Sequence, residues 1–108
     1  MADNPFMLKT LAKILAREGN FTVVGTAIDG HQALQYTLVL SPELVLIDLP
    51  HLNGVQVTRY IKQFKNPPIV FMLTSDDSSS FRSMSRAAGA DIFIVKSGDL
   101  DTQLRSKL

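Results

Sequence analysis

The 108-residue sequence contains no cysteine. That absence excludes a disulfide framework, a thiolate zinc site and a cysteine nucleophile. A charge of one sign is missing too, since 11 Lys and Arg stand against 10 Asp and Glu for a formal net charge of +1. No global basic field therefore draws the chain to nucleic acid, and no acidic excess keeps it unfolded. Long apolar runs are also lacking. Stretches such as residues 44–47 and 67–73 fall far short of the about 20 residues that span a bilayer. The first ten residues hold no apolar core of a signal peptide, so the expected location is cytoplasmic, without membrane contact. There is no internal repeat, no linker-like shift of composition and no low-complexity tract beyond Ser78, Ser79 and Ser80. The 45% hydrophobic and 19% charged content suits one compact domain over residues 1–108.

What the chain does contain is an alternation of two periods. Pro5 follows Asp3 and Asn4, which are helix-capping types, and Phe6, Leu8, Leu11, Ile14 and Leu15 recur at helical spacing until Gly19 and Asn20. Residues 21–26 are short and β-branched, as in a strand. Gly30 opens a helical run through Ala33, Leu34, Tyr36, Thr37 and Leu40, which Ser41-Pro42 closes. Residues 44–47 are wholly apolar, as a strand buried on both faces is, and Val55, Val57, Tyr60, Ile61 and Phe64 mark a helix ending before Pro67-Pro68. Two more apolar strands, residues 69–73 and 92–95, flank a Ser- and Ala-rich helix ending at Gly89, and residues 99–108 form a last helix. The order αβαβαβαβα predicts an α/β fold, a doubly wound parallel sheet with helices on both faces.

In such sheets chemistry lies beyond the carboxyl ends of the strands. Each of three apolar runs ends in a polar residue there: Asp48, Thr74 and Lys96. Parallel strands bring a carboxylate, a hydroxyl and an ammonium to one edge. That set suits an anion with a divalent cation, because oxygen ligands hold Mg²⁺ and lysine pairs with phosphoryl oxygens as a point charge. Asp3, before the first helix, adds a second carboxylate.

In this order the motifs resemble the response-regulator receiver domain of two-component signalling, over almost the whole chain. Asp3-Asn4-Pro5 resembles the family's acidic turn before the first helix, and Val24-Gly25 with Asp29-Gly30-His31-Gln32-Ala33-Leu34 its second strand and helix. Ser41-Pro42-Glu43-Leu44-Val45-Leu46-Ile47-Asp48-Leu49 resembles the phosphoacceptor strand, and Pro50-His51-Leu52-Asn53-Gly54 the loop after it. Leu73-Thr74-Ser75 is similar to the hydroxyl motif, and Arg86-Ala87-Ala88-Gly89-Ala90-Asp91-Ile92-Phe93-Ile94-Val95-Lys96 to the aromatic and lysine segment. Lys96-Ser97 resembles receivers of the NarL-like group, which carry helix-turn-helix outputs.

The resemblance implies a flavodoxin-like sheet of strand order 2-1-3-4-5. It implies that Asp48 takes a phosphoryl group from a sensor histidine kinase or a small phosphodonor, with Mg²⁺ held by Asp3, Asp48 and the carbonyl of Pro50. Lys96 would pair with the phosphoryl group, Thr74 would move to hydrogen-bond it, and Phe93 would change rotamer. The surface of the fourth helix, fifth strand and fifth helix would then shift to control an effector domain or a homodimer. The domain would be a switch rather than an enzyme, assisting only its own phosphotransfer and dephosphorylation, and would not itself bind nucleic acid.

Three departures stand against that pattern. Ala2 occupies a position where the family usually carries another acidic residue, so weaker Mg²⁺ binding is expected. The Asp48-Leu49-Pro50 segment is shorter than usual, which displaces the loop carbonyl. Only Met1 and Ala2 precede Asp3, so the family's central first strand is absent and its neighbours lose a shared partner. A trimmed chain is the expected explanation, with direct strand pairing or strand exchange with a second chain as alternatives. The last helix also stops while still amphipathic. These departures motivate the alternative function, a phosphorylation-independent pseudo-receiver that acts as an interaction module. A small flavin- or nucleotide-binding enzyme is disfavoured, because no phosphate-cradling loop follows a strand.

Other signals read as structural. His31 and His51 share neither a helix face nor a ligand spacing. Asn20-Phe21-Thr22 fits a glycosylation sequon but reads as a helix stop running into a strand. Asp76 and Asp77 suit helix capping better than metal binding. Arg82, Arg86, Arg105 and Lys107 read as solvated surface.

Overall fold

A computed structural model describes residues 2, 5–49, 52–96 and 98–108, with Pro5 and Leu52 described by backbone alone. Local chemistry accounts for the helix boundaries. The Asp29 carboxylate accepts the Gln32 N–H at 2.8 Å and starts helix α2 (Gly30–Leu40), as an N-cap should. Ser78 caps α4 (Ser79–Ala88) by accepting the Phe81 N–H at 3.2 Å, and Gly89 ends it at φ 108°, a left-handed conformation that glycine adopts without strain. The remaining helices are α1 (Pro5–Arg17), α3 (Leu52–Ile61) and α5 (Leu100–Arg105). Helix α3 begins before Val55 and stops short of Phe64, and α5 is shorter than the expected 99–108 because the chain turns at Ser106 and Lys107.

Three strands, β1 (Leu44–Ile47), β2 (Ile69–Thr74) and β3 (Ile92–Val95), form a parallel sheet in the order β1-β2-β3. Successive residues face opposite sides, and both sides are covered. Val45, Ile47, Val70 and Met72 pack with Ala33 of α2 and Val57 and Ile61 of α3. Leu46, Phe71, Leu73 and Ile94 pack with Leu11 and Ile14 of α1 and Leu104 of α5. Helix α4 seals the sheet's end through Phe81 and Ala88, which cluster with Val55. The apolar runs are thus strands between two helical layers, the expected doubly wound α/β arrangement.

Residues 21–26 correct the sequence reading. They have no regular secondary structure, although their composition is that of a strand. A strand needs a neighbour to receive its peptide groups, and among the described residues no strand lies alongside them. The family order 2-1-3-4-5 is accordingly reduced to the three strands described. Among the described residues Ala2 alone stands where a central strand would run, making a parallel bridge to Asp48 and donating its N–H to the Ala27 carbonyl at 3.1 Å. Among the described strands β1 therefore stands at an edge yet is buried, with Val45, Leu46 and Ile47 at 7%, 6% and 0% exposure.

Candidate functional site

The parallel register decides which side chains meet. Ile47 aligns with Met72 and Thr74 with Val95, so Asp48, Thr74 and Lys96 all emerge at the carboxyl edge of the sheet. The Lys96 N–H donates to the Thr74 carbonyl at 2.7 Å, which extends the β2–β3 ladder by one step and aims the lysine across the edge. Strands β1 and β3 lie two spacings apart, roughly 9.5 Å, a gap that the lysine stem covers. Its ammonium donates to both Asp48 oxygens, at 2.9 Å to Oδ1 and 2.8 Å to Oδ2. The two side chains are 22% and 12% exposed, so the pair is shielded on most sides while its mouth opens to solvent. A charge-assisted contact of this kind holds the carboxylate in one orientation.

Thr74 is buried, and its Oγ1 accepts the Asp76 N–H at 2.9 Å. Asp76 Oδ1 accepts the Ser78 N–H at 2.9 Å, and Ser78 in turn caps α4. A relay of local hydrogen bonds thus links the hydroxyl at the sheet edge to the start of a helix. Asp76 serves the turn before the helix, and the cap expected from Asp76 or Asp77 is supplied by Ser78. Phe93 is half-buried beneath α4, edge-on to Phe81 with ring centroids 5.9 Å apart and planes at 60°. The Arg82 guanidinium lies 4.7 Å from the Phe93 ring centroid. Arg82 is exposed, as expected of a solvated surface residue, and in addition makes a cation–π contact with that ring. Nothing in its sequence neighbourhood signals this, because the partner comes from another element.

The structure brings Asp48 and Lys96 into contact, sets Thr74 at the same sheet edge with its hydroxyl engaged by the Asp76 N–H, and places Phe93 next to α4. The two other expected metal ligands, Asp3 and Pro50, lie outside the described residues. Among the described residues no group of three His, Cys, Asp or Glu side chains is arranged to hold a metal ion. The donor type does fit a hard cation, since Asp48 presents carboxylate oxygens at the open edge. Ala2, fully buried beside Asp48, contributes no carboxylate there.

A second ion pair, not anticipated from the sequence, lies at the opposite end of the sheet. Lys62 Nζ donates to Asp91 Oδ2 and to the Pro68 carbonyl, both at 2.9 Å, and the Val70 N–H donates to the same Asp91 oxygen at 2.8 Å. Burial pushes the Asp91 carboxyl up, but the Val70 N–H, the Lys62 hydrogen bond and the Lys62 charge together hold it below its ordinary value. This cluster ties α3 to the start of β2 and the approach to β3, a structural task.

With this geometry in place, the sequence pattern of the response regulator receiver domain family matches residues 1–107. The chain belongs to that family. As a receiver domain it is a component of two-component regulatory systems. It is similar to the response regulator domain of Thermotoga maritima CheB, at 27% identity and a TM-score of 0.84, covering 98% of this chain and 87% of that one. The signal receiver domain of NarL from Mycobacterium tuberculosis shares the fold at a TM-score of 0.88 and 24% identity, covering 98% of this chain and 86% of that one. A protein-glutamate methylesterase/protein-glutamine glutaminase of Symbiobacterium thermophilum is 36% identical over 98 residues, which is 87% of this receiver and 27% of that protein. A protein of Pseudomonas aeruginosa named as a transcriptional regulator is 32% identical over 104 residues, 94% of this receiver and 50% of that protein. The receiver spans between about a quarter and a half of the length of these curated relatives. Among the described residues no helix is long and apolar enough to cross a membrane.

Proposed function

We propose that this receiver is a cytoplasmic phosphorylation switch, with Asp48 as the phosphoacceptor. The observation that carries this reading is the Lys96 ammonium on both Asp48 oxygens, at 2.9 and 2.8 Å. It marks the carboxylate as the anionic centre of the strand-end site and supplies the cation that a phosphoryl group needs. In the transfer, an Asp48 oxygen forms a bond to phosphorus as the P–N bond of a kinase phosphohistidine breaks, its electrons returning to the imidazole. Asp48, with Asp3 and the carbonyl of Pro50, would hold a Mg²⁺ ion, which would supply charge neutralisation at the phosphoryl oxygens. Lys96 passes from the carboxylate to the phosphoryl oxygens. The Thr74 hydroxyl turns to donate to the same group and gives up the Asp76 N–H, which draws residues 75–77 inward. Phe93 then leaves its contacts with Phe81 and Arg82, and the surface of α4, β3 and α5 changes. The domain assists its own phosphotransfer and dephosphorylation and is not otherwise an enzyme. The partners implied are a sensor histidine kinase and an effector domain, or a second receiver, in line with the regulators it resembles.

A second reading, the phosphorylation-independent pseudo-receiver, is favoured by one observation: Ala2 is buried against Asp48 where a second carboxylate would help hold the metal. Phosphorus NMR of the receiver with acetyl phosphate separates the two. An acyl phosphate resonance that EDTA abolishes supports the switch, and its absence from folded protein supports the pseudo-receiver.

A further inference from the structure

Among the described residues, three buried hydroxyls sit on helices, and two of them are satisfied by their own backbone. Thr37 on α2 donates to the Ala33 carbonyl at 2.7 Å, and Thr58 on α3 donates to the Gly54 carbonyl at 2.8 Å, each reaching the carbonyl four residues back. Ser85 on α4 does not. Its side chain is fully buried, and its Oγ has no hydrogen-bond partner among the described residues. The Ser85 carbonyl is paired, accepting the Ala90 N–H at 3.0 Å, so the deficit is confined to the side chain.

A hydroxyl withdrawn from water without a partner is destabilising, more so than the methyl group that alanine puts in its place. Here the penalty falls on one particular arrangement. Phe81, Ser85 and Ala88 are the buried residues of α4, and Phe81 and Ala88 pack with Val55 of α3 and with Phe93. Ser85 is therefore deprived of water only while α4 sits in this seat. The start of the same helix is tied to the sheet edge through Ser78, Asp76 and Thr74, so α4 is the element on which the hydroxyl's penalty and the strand-end site both act.

We propose that Ser85 is a built-in destabiliser of the seated α4: its unpaired hydroxyl raises the energy of the resting arrangement, and displacement of α4 lets it rotate onto the Phe81 carbonyl, the bond that Thr37 and Thr58 make on their own helices. Ser85 thereby sets how far the resting receiver lies from its switched state, and so how large a bias the phosphoryl group must supply. It does this without touching Asp48. The link to phosphorylation rests on the switch reading above, whereas the equilibrium between the two positions of α4 exists with no phosphoryl group present.

The test uses the 108-residue chain and Ser85→Ala, which removes the hydroxyl at little change of volume. Its thermal midpoint should rise by about 3 °C or more, whereas Thr58→Ala, which deletes a paired hydroxyl, should lower it. Ser85→Cys, similar in shape with only a weak donor, should also raise it. Relaxation-dispersion NMR of the Phe93 ring, without phosphodonor, should show the minor population falling by about fivefold in Ser85→Ala. With acetyl phosphate and Mg²⁺, the α4 resonances should shift less completely in Ser85→Ala than in the parent chain. An unchanged or lowered midpoint in Ser85→Ala overturns the proposal. So does a raised midpoint with an unchanged Phe93 minor population, or a parent chain whose Phe93 shows no exchange. If acetyl phosphate leaves the parent's α4 unmoved while Ser85→Ala still depletes the Phe93 minor population, the proposal stands and the switch reading fails.

Discussion

The Lys96 ammonium, carried just past the end of β3, spans β2 to hold both oxygens of Asp48 at the end of β1, at 2.9 and 2.8 Å. The contact joins the two outer strands of the sheet through one side chain. It is at once a structural clamp and the charge arrangement on which the proposed phosphotransfer rests.

Replacing the clamp separates these roles. Lys96→Met leaves the mostly buried Asp48 carboxylate without its cation and should lower unfolding free energy by about 1–2 kcal/mol, whereas Asp48→Asn should cost less. Urea denaturation checks the order. Phosphoryl uptake from acetyl phosphate should fall by about tenfold or more in Lys96→Met, since the variant loses the charge that meets the phosphoryl oxygens.

Gly89 is expected to resist substitution for two reasons that act together. Its φ of 108° is unfavourable for any side chain, and an added Cβ would lie 2.8 Å from Lys62 Cγ. Gly89→Ala should cost about 1–2 kcal/mol by urea unfolding. It should also shift the Asp91 resonances, because the displaced Lys62 is the Asp91 partner.

The pH dependence of stability has a definite sign at Asp91. Its carboxyl is held below the ordinary value in the folded chain, so the unfolded chain binds protons more readily there. The stabilisation is present above the unfolded pKa, about 3.9, and is lost as pH falls through the depressed folded value. Asp91→Asn should flatten the stability profile in that acidic window and leave its shape near neutrality unchanged. Thermal melts across the window measure this.

Arg82→Ala removes the guanidinium from the Phe93 ring and should cost only about 0.5–1 kcal/mol. Its larger effect should be on motion. Relaxation-dispersion NMR of the Phe93 ring is expected to show faster or more populated exchange in the variant, because one of the contacts seating the ring is gone.

The strand ends were legible in the sequence because each apolar run is followed at once by its polar residue, and parallel pairing fixes where these residues meet. The two covered faces of the sheet were legible as well, since Leu46 between Val45 and Ile47 leaves no polar face. Residues 21–26 were not. Their β-branched composition is a property of the segment, whereas strand formation is a property of a pair, and no described strand pairs with them. The Arg82–Phe93 and Lys62–Asp91 contacts escaped for a related reason, as each joins residues of different elements whose meeting is set by packing rather than by spacing. Asp3 and Pro50, the remaining ligands expected for Mg²⁺, lie outside the described residues and stand on the family resemblance.

The central claim is that Asp48 accepts a phosphoryl group, and intact mass spectrometry of the receiver after incubation with acetyl phosphate and Mg²⁺ tests it most directly. The account predicts the gain of one phosphoryl group, absent with EDTA and absent in Asp48→Asn. An unchanged mass in folded protein, or a gain that persists in Asp48→Asn, would contradict it.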